Sequence, residues 1–293
     1  MLHALKGRLT MTAALVPLDT TDDRLVDLWV YGKAEQTADA YRRDARRFLA
    51  FTGKPLRQTT YDDLVQYSLS LSAAGLSEAS QRRMLASVKA LLAFAARVGA
   101  SPVNVGAVMR LSRQPVDLAE RILSESDIHR MIALEPDRRN VALLRLLYAT
   151  AARASEVAGL TWSDVTERAD GAFQVTLHGK GNKTRVVWLP SSLRADIETL
   201  RAQHAPTVAG VGRVQLWRIV TTAARRAGLD IDAGGKPRSV STHWMRHAHI
   251  SHSLDRGAPV HLVRETAGHA SLETTTAYAH ARPDTSSAKY LAL

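Results

Sequence analysis

Between Pro102 and Glu120 the regular recurrence of apolar residues seen on either side fails, and Gln114-Pro115-Val116-Asp117 reads as a linker. A chain of 293 residues, 45% of them hydrophobic, interrupted in this way is long enough to bury two cores rather than one. The expected organisation is a flexible arm over residues 1–20, a helical domain over 21–112, a linker over 113–122 and a second domain over 123–293, with a short tail helix from about residue 285.

The block before the break carries helical periodicity, as in Tyr41, Ala45, Phe48 and Leu49, and again in Met84, Val88, Leu91, Leu92 and Ala95. Gly53-Lys54-Pro55, Ala74-Gly75 and Gly99-Ala100-Ser101-Pro102 punctuate it, which predicts four helices over roughly 22–31, 36–51, 61–74 and 78–98. The basic pairs Arg42-Arg43, Arg46-Arg47 and Arg82-Arg83 stand beside the apolar stripes. They are either phosphate contacts or a solvated helix face.

Beyond the break, Ser124 and Asp127 form a capping-box pattern opening a helix to about Leu134, and Val141 to Ala151 is strongly apolar and helical. Arg153 closes that helix, where a guanidinium is costly unless it meets an anion; either Glu156 or a ligand phosphate must serve it. Phe173, Val175 and Leu177 alternate with polar residues, His178-Gly179-Lys180-Gly181-Asn182 turns, and Arg185 to Leu189 returns, a β-hairpin with Lys180 at its tip. The flanking glycines allow close backbone approach to a partner. Helices over roughly 191–203 and 213–227 follow. The fold class is therefore mainly α with a small β-hairpin or sheet (α+β).

The chemistry concentrates in the last fifth of the chain: Ser241-Thr242-His243-Trp244-Met245-Arg246-His247, then Gly268-His269, then Tyr278-Ala279-His280. On a helix His243 and Arg246 lie at i and i+3 and can grip one small anion, a phosphate being the natural tenant. Thirty-nine Lys and Arg against 28 Asp and Glu give a formal charge of +11, the footprint of a polyanion binder. Residues 1–110 carry 15 basic and 10 acidic residues and the remainder 24 and 18, so both halves are basic, which suits a clamp.

The sequence has no cysteine, which excludes thiolate metal sites and a cysteine nucleophile and fits a reducing, cytoplasmic location. No apolar run reaches the roughly 20 residues a membrane helix needs. Lys6 and Arg8 precede an apolar patch that Thr10, Thr12 and Pro17 interrupt, an arm rather than a signal peptide. His243, His247, His249 and His252 have chelating spacings, but no Glu follows His243 as in a zinc-protease helix, and no metal or other cofactor is expected.

Taken in order, Thr150 to Leu160, Gly179-Lys180-Gly181-Asn182-Lys183, His243-Trp244-Met245-Arg246-His247, and Ala267-Gly268-His269-Ala270-Ser271-Leu272 running on to Tyr278 resemble the tyrosine recombinases, the integrase class that includes Xer-type and phage integrases. The helical block before Glu120 resembles that family's core-binding domain, so the likeness covers about residues 20–293. The chain departs from the family pattern at Ala151 and Ala152, where Gly and a large apolar residue are common, at Thr242 in place of a frequent Pro, and at Ala267 in place of Leu.

The resemblance implies a two-domain DNA clamp, a helical core-binding domain followed by a catalytic domain. It implies that Tyr278 is the nucleophile, with Arg153 and Arg246 on the nonbridging oxygens of the scissile phosphate. Lys180 would be general acid to the 5′ oxygen, and His243 and His269 hydrogen-bonding or proton-handling partners. Lys183 joins the arginine pairs as an expected DNA contact. Physically the set suffices: an in-line nucleophile, charge neutralisation by two guanidiniums in place of metal ions, and a proton for the leaving group. Tyr290 is a second phenol, outside the motif.

The implied activity is site-specific recombination through a 3′-phosphotyrosyl intermediate; an accessory DNA-binding protein on the same fold and a type IB topoisomerase are the other readings. The implied partners are double-stranded DNA and three further copies in a tetramer on two sites with exchanged C-terminal tails. The resemblance leaves room for a second recombinase or a DNA-bending protein.

Overall fold

The computed structural model describes residues 15–17, 19–111, 118–179, 181, 183–232, 234–269 and 271–281. Lys180, Asn182, most of the expected arm, the linker at 112–117 and the tail from 282, Tyr290 included, lie outside the described residues. The chain divides into two compact units, Met1–Pro115 and Val116–Leu293.

The first unit contains α1 (Asp22–Val30), α2 (Glu35–Thr52), α3 (Tyr61–Ala73) and α4 (Glu78–Arg97). Their starts are written locally: the side chains of Thr21, Thr60 and Ser77 each accept a backbone N–H of the first turn, and Thr60 with Asp63 completes a capping box. Leu25, Phe48, Leu64, Tyr67, Leu91 and Leu92 form the centre of the core, with Phe48 edge-on to Tyr67. The arm expected to run to residue 20 is shorter than that. The Leu15 N–H donates to the Val98 carbonyl at 2.8 Å, and the partly buried Val16 packs on this core and gains by that burial, while the Leu15 side chain stays exposed.

The basic pairs of this unit do not behave alike. Arg43, Arg46, Arg47 and Arg82 are exposed. Arg42 donates to Asp27 at 3.2 Å and lies 3.5 Å from Asp39. Arg83 is exposed as well, but it is paired: both terminal nitrogens donate to the buried Asp44, at 2.5 and 3.0 Å, so a phosphate contact there would share the guanidinium with a carboxylate only 4% exposed.

The second unit opens earlier than residue 123. A short turn over Ala119–Arg121 leads to Ile122, which is buried against Ile250, Val263 and Tyr278, so the end of the expected linker is part of this fold. Then come α5 (Glu125–Ala133), with its Ser124–Asp127 capping box, α6 (Arg138–Thr150), α7 (Ala154–Ala158), strands β1 (Val165–Glu167), β2 (Phe173–His178) and β3 (Thr184–Leu189), and helices α8 (Arg194–Arg201), α9 (Arg213–Arg226), α10 (Thr242–Asp255), α11 (Val260–Ala267) and α12 (Leu272–Ala281). The hairpin is the centre and one edge of an antiparallel sheet in the order β1-β2-β3, with Val175 opposite Val165 on one side and Val187 on the other. β1 has three residues, too short for an alternation to announce it.

Phe173, Val175, Leu177, Val187 and Leu189 turn inward onto the apolar faces of α6, α9 and α10, represented by Leu143, Leu147, Leu216, Val220 and Met245. Helix α6 ends with Ala151 in the left-handed region at φ 50°, a conformation that costs an L-residue about 1–2 kcal/mol, and its carbonyl is thereby turned toward α10. Among the described residues no helix is long and apolar enough to cross a membrane.

The Arg83–Asp44 pair generates a stability prediction. Arg83→Ala leaves a buried carboxylate unpaired and should lower the first unit's unfolding free energy by about 1–3 kcal/mol, whereas Arg82→Ala should leave it unchanged. Urea denaturation followed through Trp29 distinguishes the two.

Candidate active site

Four segments of the second unit converge: the turn from α6 into α7, the β2–β3 hairpin, the first two turns of α10, and the corner between α11 and α12. Glu156 links the first two of them, through Arg153 and Arg185. Its carboxylate, with a side chain 2% exposed, accepts from the Arg153 backbone N–H at 2.8 Å and side chain at 2.9 Å, and from both terminal nitrogens of Arg185 at 3.0 and 2.8 Å. Burial alone would raise this carboxyl, but the Arg185 and Arg153 hydrogen bonds outweigh it and bring it down to about 2.

Arg185 also donates from Nε to the Thr266 carbonyl at 2.7 Å, at the end of α11. Two glycines make these approaches possible. A Cβ on Gly179 would come within 3.3 Å of Glu156 Oε1, and one on Gly268, already left-handed at φ 65°, within 3.1 Å of Arg185 Nη1.

Of the two alternatives posed by Arg153, the structure shows the carboxylate partner. Glu156 serves it, yet Arg185 shares that carboxylate and the Arg153 side chain stays 37% exposed. Open hollows lie on either side of it, one lined by Ser155, Arg213, Trp217, Thr242 and His243, the other by Gly179, Lys183, Arg185, Gly268 and His269.

Arg246 is 4% exposed, donates from Nη1 to the Ala151 carbonyl at 2.7 Å, and has a buried Nη2 with no hydrogen-bond partner among the described residues. Burial first, then the nearby Arg153 and Arg185, pushes its guanidinium down to about 10, partly opposed by Glu156 and Tyr278. It remains a cation at neutral pH. Three guanidiniums around one carboxylate leave the pocket two positive charges in excess, a standing demand for an anion.

Tyr278 is 5% exposed, its ring set among Ile122, Ile250, Val263 and Ala267 and its hydroxyl bonded to His247 Nδ1 at 2.5 Å. Burial raises the phenol above its usual 10.0 while Arg246 pulls it back, so it is protonated at neutral pH. The ring lies between two imidazoles, 5.5 Å from His247 and 6.1 Å from His269. His269 bonds through Nδ1 to the buried Thr275 hydroxyl at 2.9 Å. Burial first, then surrounding cations, lowers His247 and His269 to about 4 each, and His243, at the exposed rim, is lowered by desolvation, Arg246 and Arg153.

The structure therefore brings Arg153, His243, Arg246, His269 and Tyr278 together, and Lys183 lines one of the hollows beside them. Sequence reasoning missed Arg185 and treated His247 only as a metal-ligand candidate. Arg185 did carry a signal: it shares the inward face of β3 with Val187 and Leu189, where an arginine requires a buried anion. The other helical histidines are spent on structure. His249 bonds the Tyr148 carbonyl at 2.7 Å, and His252 bonds the Tyr148 hydroxyl at 2.8 Å and the Leu123 carbonyl at 2.9 Å.

Residues 119–284 match the phage integrase family, and residues 25–99 match the phage integrase N-terminal SAM-like domain. The tyrosine recombinase XerC of Mesorhizobium japonicum is 30% identical, over 83% of this chain and 84% of its own length. The tyrosine recombinase XerD of Rhizobium meliloti is 31% identical, over 85% and 86%. Among solved structures, a lambda integrase tetramer bound to a Holliday junction shares the fold with a TM-score of 0.70 at 15% identity, covering 87% of this chain and 79% of that one. The chain belongs to the phage integrase family. Within it, it is a tyrosine recombinase, an enzyme that breaks and rejoins DNA site-specifically.

The neutral imidazoles generate a pH prediction. His247, His249 and His269 are held near 4 in the fold, largely by burial, against 6.5 when free, so between those values the unfolded chain binds more protons. Stability should be complete above pH 6.5 and fall as pH drops toward 4, by up to about 1.4 kcal/mol per pH unit for each imidazole. Denaturation followed through the second unit's tryptophans at pH 7.5, 6 and 5 measures it.

Proposed function

We propose that the chain cuts DNA by attack of Tyr278 on a phosphodiester, leaving a 3′-phosphotyrosine, with Arg153 and Arg246 on the nonbridging oxygens of that phosphate. The observation that carries the reading is Arg246: a buried guanidinium whose Nη2 has no hydrogen-bond partner among the described residues, within electrostatic reach of Arg153 and Tyr278. A phosphodiester supplies the missing anion and acceptor, and the same donors stabilise the charge that develops on its oxygens during displacement. His243 and His269 border that phosphate as hydrogen-bond donors.

Lys180, assigned from the family motif, protonates the departing 5′ oxygen. Rejoining reverses the step and needs no triphosphate, because the phosphotyrosine retains the bond energy. The substrate is duplex DNA, gripped further through exposed cations including Arg43, Arg46, Arg47, Arg82 and Lys183. The protein acts in the cytoplasm, as four copies on two sites, each passing its C-terminal tail to a neighbour in a closed ring.

Tyr278→Phe should retain DNA binding, since phosphate contacts supply most of the affinity, and form no denaturant-resistant adduct. An adduct from the Phe variant would move the nucleophile elsewhere. Truncation after Asp284 should leave single-site binding intact and impair recombination between two sites; gel-shift and plasmid recombination assays on the truncated chain separate these effects.

A further inference from the structure

Tyr278 is buried as a neutral phenol, and a phenol attacks phosphorus poorly unless its proton leaves as the new bond forms. One described side chain touches that hydroxyl: His247, through Nδ1. His243, four residues earlier on α10, has its ring 6.4 Å from the His247 ring, and His269 is stacked beside the phenol with its Nδ1 given to Thr275. We propose that His247 is a further catalytic residue, the general base that takes the Tyr278 proton during cleavage and returns it during rejoining. The proposal rests on the reading of Tyr278 as nucleophile and specifies which imidazole serves it.

The step balances. The Tyr278 oxygen–phosphorus bond forms as the phosphorus–5′ oxygen bond breaks. The phenolic proton passes to His247 Nδ1, and the 5′ oxygen receives a proton from the general acid, Lys180 in the reading above. In rejoining the 5′ hydroxyl attacks, its proton returns to the general acid, and the tyrosine oxygen recovers its own from His247.

The surroundings suit a base. A neutral imidazole can accept on Nδ1 only with its proton on Nε2, the tautomer that the contact to the phenol selects. The groups facing His247 are His243 and Arg246 on its own helix, Arg121 from the turn ahead of α5, His269 from the α11–α12 corner, and Tyr278 from α12. Burial and those cations keep it unprotonated in the free protein, and a bound phosphate offsets Arg246 and raises its proton affinity when the proton must be accepted.

The test uses the full chain and a nicked duplex selected from a random-sequence library by covalent attachment to the wild-type protein. His247→Gln keeps a hydrogen-bond acceptor but cannot carry the proton. It should cleave 10²–10⁴-fold more slowly at pH 7, the range typical of a lost general base. Its rate should rise about tenfold per pH unit between pH 6 and 9, because phenolate must then form beforehand. Replacing the 5′ bridging oxygen by sulfur should rescue Lys180→Ala and fail to rescue His247→Gln.

His247→Ala, confirmed folded by its thermal transition, should be restored by added imidazole. Cleavage by His247→Gln within about threefold of wild type, or a slow rate whose pH profile parallels wild type, would make the contact a structural hydrogen bond and overturn the proposal. Failure of the wild-type chain to attach any duplex would overturn the Tyr278 reading itself, and the base assignment with it.

Discussion

A carboxylate buried between two guanidiniums holds the active-site half of this protein together. Glu156 joins Arg153, at the end of α6, to Arg185, on the edge strand that returns from the hairpin, and Arg185 reaches on to the last turn of α11. Segments far apart in sequence thus share one charge network, and its atoms pack so close to Gly179 and Gly268 that a Cβ at either would crowd them. The geometry is also asymmetric. Arg185 gives Glu156 two side-chain hydrogen bonds and Arg153 gives it one besides its backbone N–H, so Arg153 is oriented by the carboxylate yet keeps an exposed face for a ligand.

The excess of positive charge around that network gives the site its binding chemistry. Arg246 is buried, tethered at one nitrogen to a carbonyl that the left-handed Ala151 presents, and left with another nitrogen unmet among the described residues. A buried cation without a full set of partners is costly, and the fold tolerates it because helix α10 is anchored elsewhere. His249 and His252 fasten α10 to Tyr148 on α6 and to Leu123. One helix therefore uses its histidines in two ways, the early ones beside the anion site and the later ones as internal hydrogen-bond partners.

Basic residues in the first unit divide along similar lines. Arg83 is exposed but pairs with the buried Asp44, whereas Arg43, Arg46, Arg47 and Arg82 are exposed without such a buried carboxylate beside them among the described residues. A count of positive charges along the chain cannot separate these classes, because the distinction depends on which carboxylate the fold buries nearby.

Much of the architecture was legible in the order of residues. Apolar period and the glycine and proline punctuation placed α1 to α4 within a few residues, Ser124 and Asp127 marked the start of α5, and alternation from Phe173 to Leu177 and again to Leu189 marked the hairpin. These are local signals, set by how a backbone satisfies its own hydrogen bonds and which face it must bury. The set Arg153, His243, Arg246, His269 and Tyr278 was named on different grounds, from the order of motifs shared with a family, and the fold brings these residues into one region. Strand β1, the docking of Leu15 and Val16, the bond from His247 to the Tyr278 hydroxyl, and the sharing of Glu156 between two arginines were not legible in the sequence. Each joins atoms separated by many residues, and which of several chemically equivalent partners is chosen depends on distances that exist only once the helices and sheet have packed.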